Sequence, residues 1–131
     1  GEDFAAFGQH APCFRQDLHL AAVAPDGTFA SHVGVIYDEI NRRGLYEPVC
    51  THPDHRRRGL AQTLMLEGQH RTKALGARQI TVETGDAIPA NCLYESIGFT
   101  EAYQGYAWRW PPPPRNKCYN GAAHKAEKVS R

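Results

Sequence analysis

The chain has 131 residues, 41% hydrophobic and 22% charged, with 15 basic and 14 acidic side chains. That length suits one globular domain, and no apolar run approaches the roughly 20 residues needed to span a bilayer. A formal charge of +1 argues against general binding of nucleic acid, so neither nucleic acid nor membrane is an expected partner.

Phe4 and Phe7 stand at helical spacing near the start. Asp17 to Ala24 alternates, with Leu18, Leu20 and Ala22 on one face, and is predicted as a strand. Pro25-Asp26-Gly27 is turn chemistry and leads into a second strand, Phe29 to Tyr37, making an antiparallel hairpin. A second turn at Asn41–Gly44 precedes a third strand, Leu45 to Thr51, which Pro53 ends. From Arg58 to Leu75 the period is helical. Leu60, Leu64, Gly68 and Arg71 fall on one line, Ala61 and Met65 lie beside it, and Gly76 terminates the helix. Arg78 to Thr84 is a short strand with Ile80 and Val82 facing one way. Pro89 suits the first turn of a second helix, which runs to about Ile97 and stops at Gly98. Thr100 to Trp110 is a final strand rich in aromatics. The order β-β-β-α-β-α-β gives an α/β (α+β) class: a mixed, mostly antiparallel sheet with a central βαβ crossover. The domain is expected over residues 1–110, and 111–131 as a Pro-rich basic tail, mobile or used for docking.

The charge is unevenly spread. Residues 115–131 hold five Lys/Arg and one Glu, which leaves ten basic against thirteen acidic residues before them. Three of those ten stand together at Arg56, Arg57 and Arg58. The first residue is Gly and the only Met is Met65, so the chain reads as processed or excised from something longer. Cys13, Cys50, Cys92 and Cys118 are widely spaced, with no CxxC and no secretory signal, which implies reduced thiols and a cytoplasmic setting. His52-Pro53-Asp54-His55 is a poor metal site, because Pro53 interrupts the pair and no second pair completes a tetrahedral set. No metal is expected.

The most informative segment is Glu47 to Ala61, which runs strand, loop, helix start. A helix N-terminus presents unpaired N–H groups and a positive dipole end, which suits a pyrophosphate. Gly59 permits close approach, Ala61 adds no bulk, and Arg56, Arg57 and Arg58 add positive charge. A charge run also reads as solvated surface. Neither a GxxxxGK[ST] loop nor a GxGxxG fingerprint is present.

Arg56-x-x-Gly59-x-Ala61, following a strand that ends in Val49-Cys50-Thr51, resembles motif A of the GNAT superfamily of N-acetyltransferases. Downstream, Pro89-Ala90-Asn91-Cys92-Leu93-Tyr94-Glu95-Ser96-Ile97-Gly98-Phe99 resembles that family's second conserved helix. The resemblance covers about Asp17 to Trp110.

The resemblance implies acetyl-CoA as co-substrate, lying between the strands Leu45–Thr51 and Arg78–Thr84. Val49 and Thr51, with Cys50 between them, would pair with the pantetheine amides. Backbone N–H groups of Arg57, Arg58, Gly59, Leu60, Ala61 and Gln62 would hold the pyrophosphate. The Arg56, Arg57 and Arg58 side chains would reach the 3′-phosphate or face water. Tyr94 matches the general acid that protonates the departing thiolate. Glu47 is preferred as the base for the amine, with Glu83 and water as alternatives; His52 and His55 lie toward the phosphate loop. Many members carry Asn seven residues before the Tyr, where this chain has Ala87, and Asn91 is the Asn carried as a cofactor-binding candidate. The family's opening strand and helices have no counterpart beyond Phe4–Arg15. That implies a truncated or tandem member, or a cleft completed by a homodimer partner or companion domain. Trp108, Trp110, Tyr103 and Tyr106 are expected in the core or in an aromatic acceptor wall.

The implied activity is N-acetylation of a primary amine on a small molecule or peptide, by direct attack in a ternary complex. The alternative is a non-catalytic acyl-CoA-binding module. A weaker third idea gives the basic tail a nucleic-acid or acidic-protein partner.

Overall fold

In the computed structural model, which describes residues 11–106 and 124–130, the first hairpin forms at the expected turn. Gly27 takes a left-handed φ of 87° and donates its N–H to the Ala24 carbonyl at 2.9 Å. The Asp26 carboxylate accepts from the Thr28 N–H and hydroxyl at 3.0 and 2.7 Å. The strands on either side are β1 (His19–Val23) and β2 (Phe29–Asp38), followed by β3 (Arg43–Thr51). Helix α1 (Leu60–Ala74), β4 (Gln79–Thr84), α2 (Ile88–Ser96), β5 (Thr100–Tyr106) and β6 (His124–Ser130) complete the order, with 3-10 turns at Gln16–Leu18 and Pro53–His55.

The six strands form one sheet in the order β1-β2-β3-β4-β6-β5. Only β3 and β4 are parallel, joined through α1; every other pairing is antiparallel. The expected mixed, mostly antiparallel sheet with a central crossover is therefore present. One expectation is corrected. Residues 124–130 were assigned to a tail, yet they form a strand between β4 and β5. Main-chain pairing needs no apolar alternation, and His124-Lys125-Ala126-Glu127-Lys128-Val129-Ser130 offers none to detect. Phe4, Phe7, Trp108, Trp110, Pro111–Pro114 and Cys118 lie outside the described residues. Tyr103 and Tyr106 are more than half exposed, so they do not pack in the core. No helix among the described residues is long and apolar enough to cross a membrane.

The core lies between α1 and one face of the sheet. Val33, Val35, Tyr37, Tyr46 and Val82 are buried there with Met65. The buried residues of α1 are Met65, Gly68 and Thr72, so Gly68 of the predicted line and Met65 beside it are buried, Leu64 packs against the core and Arg71 does not. Arg71 instead turns outward to bond Glu67 at 2.7 Å and the Asp17 carbonyl at 2.9 Å. Gly68 then faces Tyr46, whose hydroxyl donates to the Met65 carbonyl. A Cβ at Gly68 would lie 2.9 Å from the Tyr46 hydroxyl oxygen.

On the other face His19 is sandwiched between aromatic rings, 4.5 Å from Phe14 and 5.5 Å from His32 between centroids. Burial and the neighbouring His32 hold its pKa below the ordinary 6.5. The fold therefore prefers the neutral imidazole.

Two outcomes follow from this packing. Gly68→Ala gains about 1 kcal/mol of helix propensity but overpacks a fixed tyrosine at a cost of about 1–3 kcal/mol. A lower urea midpoint than wild type is expected; an unchanged or higher one would show that Tyr46 yields. His19 contributes stability that is complete above pH 6.5 and declines as pH falls below it toward the depressed native pKa. Urea midpoints at pH 7.5 and 5 should differ less in His19→Phe than in wild type, and equal differences would refute the linkage.

Candidate active site

The site begins where β3 leaves β4. Their ladder pairs Arg43 with Gln79 through Tyr46 with Val82 and then stops. The β2–β3 register shifts at the same level, between Val33 and Val35, so that Glu47 and Pro48 bulge against Gly34. Pro48 has no N–H to continue a ladder. Beyond this point β3 keeps only β2 as a neighbour, while Glu83 and Thr84 of β4 pair with β6. A cleft opens between the two parallel strands.

The edge of β3 facing that cleft can be read from the ladder. The His52 N–H donates to the Ala30 carbonyl at 2.9 Å. In an antiparallel pair, main-chain groups alternate between partner and open edge. Those of Cys50 therefore turn toward His32, and those of Val49 and Thr51 turn toward the cleft. Cys50, expected among the cofactor residues, thus keeps its main chain inside the sheet, and its thiol donates to the His32 carbonyl at 3.6 Å. The Thr51 carbonyl accepts from Arg56 Nε at 3.2 Å, which leaves its N–H.

The loop after β3 delivers the helix start. His52 caps the Pro53–His55 turn by accepting from the Asp54 N–H. Arg56 folds back onto Thr51, so at least its Nε serves the loop. Arg57 and Gly59 then take left-handed φ values of 62° and 76°. Gly59 is the N-cap of α1 and has no side chain to satisfy the first N–H groups. Its carbonyl accepts from the Thr63 N–H at 2.9 Å, but Leu60, Ala61 and Gln62 have no intrahelical acceptor. Nothing lies within 4 Å of where a Cβ on Gly59 would point. Arg57 and Arg58 are exposed beside this opening.

Helix α2 supplies the other wall. Pro89 occupies its first turn, as expected. Tyr94 is buried with its ring 6.2 Å from Phe99, which in turn lies 6.0 Å from Tyr46. Burial raises the Tyr94 pKa, and the Glu47 charge raises it further. The phenol therefore stays protonated at neutral pH, and the Glu47 carboxylate is near enough to act on it. The charge of one candidate thus acts on the other, although they stand 47 residues apart in sequence. Glu83 sits one strand away, in register with Glu127. The His52 and His55 rings, 5.8 Å apart, belong to the phosphate loop. Asn91 donates from Nδ2 to the Gly85 carbonyl at 3.1 Å, while its Oδ1 is buried without a partner. Ala87 occupies the N-cap of α2, where its carbonyl accepts from the Ala90 and Asn91 N–H groups. Among the described residues no three His, Cys, Asp or Glu side chains are grouped to hold a metal. Sequence reasoning missed the bulge partner Gly34, whose role shows only once β2 and β3 are in register.

The broken β3–β4 ladder, the open N-terminus of α1 and the buried Tyr94 near the end of α2 together make up the candidate site. Residues 17–101 match the model of the acetyltransferase (GNAT) domain, and the chain belongs to that family. Nourseothricin acetyltransferase is 26% identical over 84% of this chain, with a TM-score of 0.68. This chain spans 62% of that protein's length. Two further structures share the fold. Spermidine N-acetyltransferase from Vibrio cholerae, in complex with CoA and spermine, is 18% identical, with 98% of this chain and 71% of that chain covered and a TM-score of 0.74. Ribosomal-protein-S18-alanine N-acetyltransferase from Escherichia coli is 17% identical, with 99% and 76% covered and a TM-score of 0.69. No curated protein matches the chain.

Acetyl-CoA is the co-substrate of this family, and the residues here fit it. The open space at Gly59 admits a phosphate, the cleft edge of β3 offers main-chain groups to amides, and the orphaned Asn91 Oδ1 offers an acceptor.

The Glu47–Tyr94 pairing is open to direct measurement. Glu47→Gln removes a negative charge beside the phenol and should lower the Tyr94 titration point. Carbon-13 NMR of ring-labelled tyrosine reads it, and an unmoved Tyr94 would show that the two side chains do not interact.

Proposed function

We propose that this domain is an acetyl-CoA-dependent N-acetyltransferase that acylates a primary amine of a small molecule or peptide by direct attack in a ternary complex. The observation that carries this reading is the open N-terminus of α1 following the strand whose ladder with β4 breaks at Glu47, with the Glu47 charge acting on the buried Tyr94 phenol. When bound, acetyl-CoA supplies the thioester carbonyl that the amine attacks.

This chain's own residues have separable tasks. The N–H groups from Arg57 to Gln62 bind the pyrophosphate, with Arg57 and Arg58 beside them. Val49 and Thr51 offer their free main-chain edge to the pantetheine arm, and Asn91 Oδ1 accepts a hydrogen bond from it. Glu47 holds the incoming ammonium group and receives its proton, directly or through water; alkyl ammonium groups titrate near 10 and do not deprotonate unaided at neutral pH. Tyr94, kept protonated by burial and by Glu47, donates to the departing sulfur.

The experiment is thiol release from acetyl-CoA across a panel of amines, paired with calorimetric CoA titration. Tyr94→Phe should lower kcat by about 100- to 10,000-fold, the range for loss of one general acid, while CoA affinity is kept. Gly59→Glu should abolish CoA binding by filling the anion site with a carboxylate. Tight CoA binding without turnover on any amine would assign the domain to the non-catalytic alternative.

A further inference from the structure

Gly34 lies opposite the β3 bulge, and the place of its absent side chain is filled from two sides. A Cβ there would meet the Glu47 carbonyl oxygen at 2.7 Å and the His19 ring at 2.7 Å from Cε1 and 2.8 Å from Nδ1. His19 is paired with Gly34 in the β1–β2 register, at one end of that ladder. Its ring is clamped between Phe14, tilted by 36°, and His32, stacked at 29°. Its Nε2 is buried without a hydrogen-bond partner.

We propose that His19 is a positioning residue for the site: seated on Gly34, its ring supports the Glu47 main chain where β3 parts from β4 and so aims the Glu47 carboxylate at Tyr94. The inference rests on the reading of Glu47 as the base. The rings facing His19 are Phe14 from the preceding segment and His32 from β2, and the Glu47 carbonyl from β3 lies against the same Gly34 position that the His19 ring covers. Arg15 and Asp17, the charged residues just before it, bond to one another at 3.0 Å. Burial and His32 keep the imidazole neutral, so it packs against the bulge without bringing a charge to it.

The test reads Tyr94 by carbon-13 NMR of ring-labelled tyrosine, with Tyr94→Phe to assign the resonance. Glu47→Gln should shift the Tyr94 titration downward. His19→Ala should shift it in the same direction, and the double variant should move it no further than Glu47→Gln alone. Gly34→Ala, which displaces the same contacts from the other side, should behave as His19→Ala does and replaces it if that variant does not fold. His19→Phe, which restores a flat ring, should return the titration to its wild-type position. If His19→Ala and Gly34→Ala both leave Tyr94 at wild type while Glu47→Gln moves it, the positioning role is overturned. If Glu47→Gln also leaves it unmoved, Glu47 is not aimed at Tyr94 and the proposal falls. Failure of the wild type to acetylate any amine would instead remove the N-acetyltransferase reading, while the NMR outcome still decides the role of His19.

Discussion

Pro48 has no amide hydrogen, and the parallel ladder between β3 and β4 ends just before it, at Tyr46 and Val82. The rest of the site depends on that break. A continuous ladder would occupy the main-chain groups of Val49 and Thr51 and close the space between the strands. With the ladder ended, one edge of β3 is left for a ligand while the other stays bonded to β2. The sheet stays intact around the gap because Tyr46 is bonded to the Met65 carbonyl of α1 and β6 pairs with β4 through Thr84.

The proposed reaction makes two opposite electrostatic demands, and the candidate site keeps them apart. Phosphate needs N–H groups, positive charge and room, and these lie at the open start of α1. The reacting end needs a carboxylate and a phenol that keeps its proton. If Glu47 stood beside the helix start it would repel the phosphates. The three strand residues between Glu47 and Thr51, then the His52–Arg56 loop, hold the two apart. Tyr94 gains from being partly enclosed, since burial and the nearby carboxylate both favour the neutral phenol.

Much of this was legible in the sequence, for local reasons. Pro25-Asp26-Gly27, Pro53, Gly76, Pro89 and Gly98 punctuate the elements, and predicted ends differ from observed ones by a few residues at most where they are described. The loop and helix start at Arg56–Ala61 were legible because Gly59 and the Arg run are contiguous. The helix that carries Tyr94 was legible because it has a recognisable ending. What escaped depends on register or on main-chain pairing. Gly34 looks like any strand glycine until β2 is laid against β3. His19 looks like a polar strand residue until Phe14 and His32 stack on it. On the buried face of α1, Arg71 was misplaced because it finds partners outside the core. Strand β6 was missed because its sequence alternates no apolar residues.

That last strand has a consequence for the order of assembly. β5 is made before β6, yet among the described residues β6 is its one strand partner, and β6 also separates it from β4. During synthesis on a ribosome, β2, β3 and β4 each emerge after a strand with which they pair. β5 emerges with an unsatisfied edge and must wait for residues 124–130. The far side of the sheet therefore closes last, by insertion of a late strand between two earlier ones, and until then both β4 and β5 present open hydrogen-bonding edges.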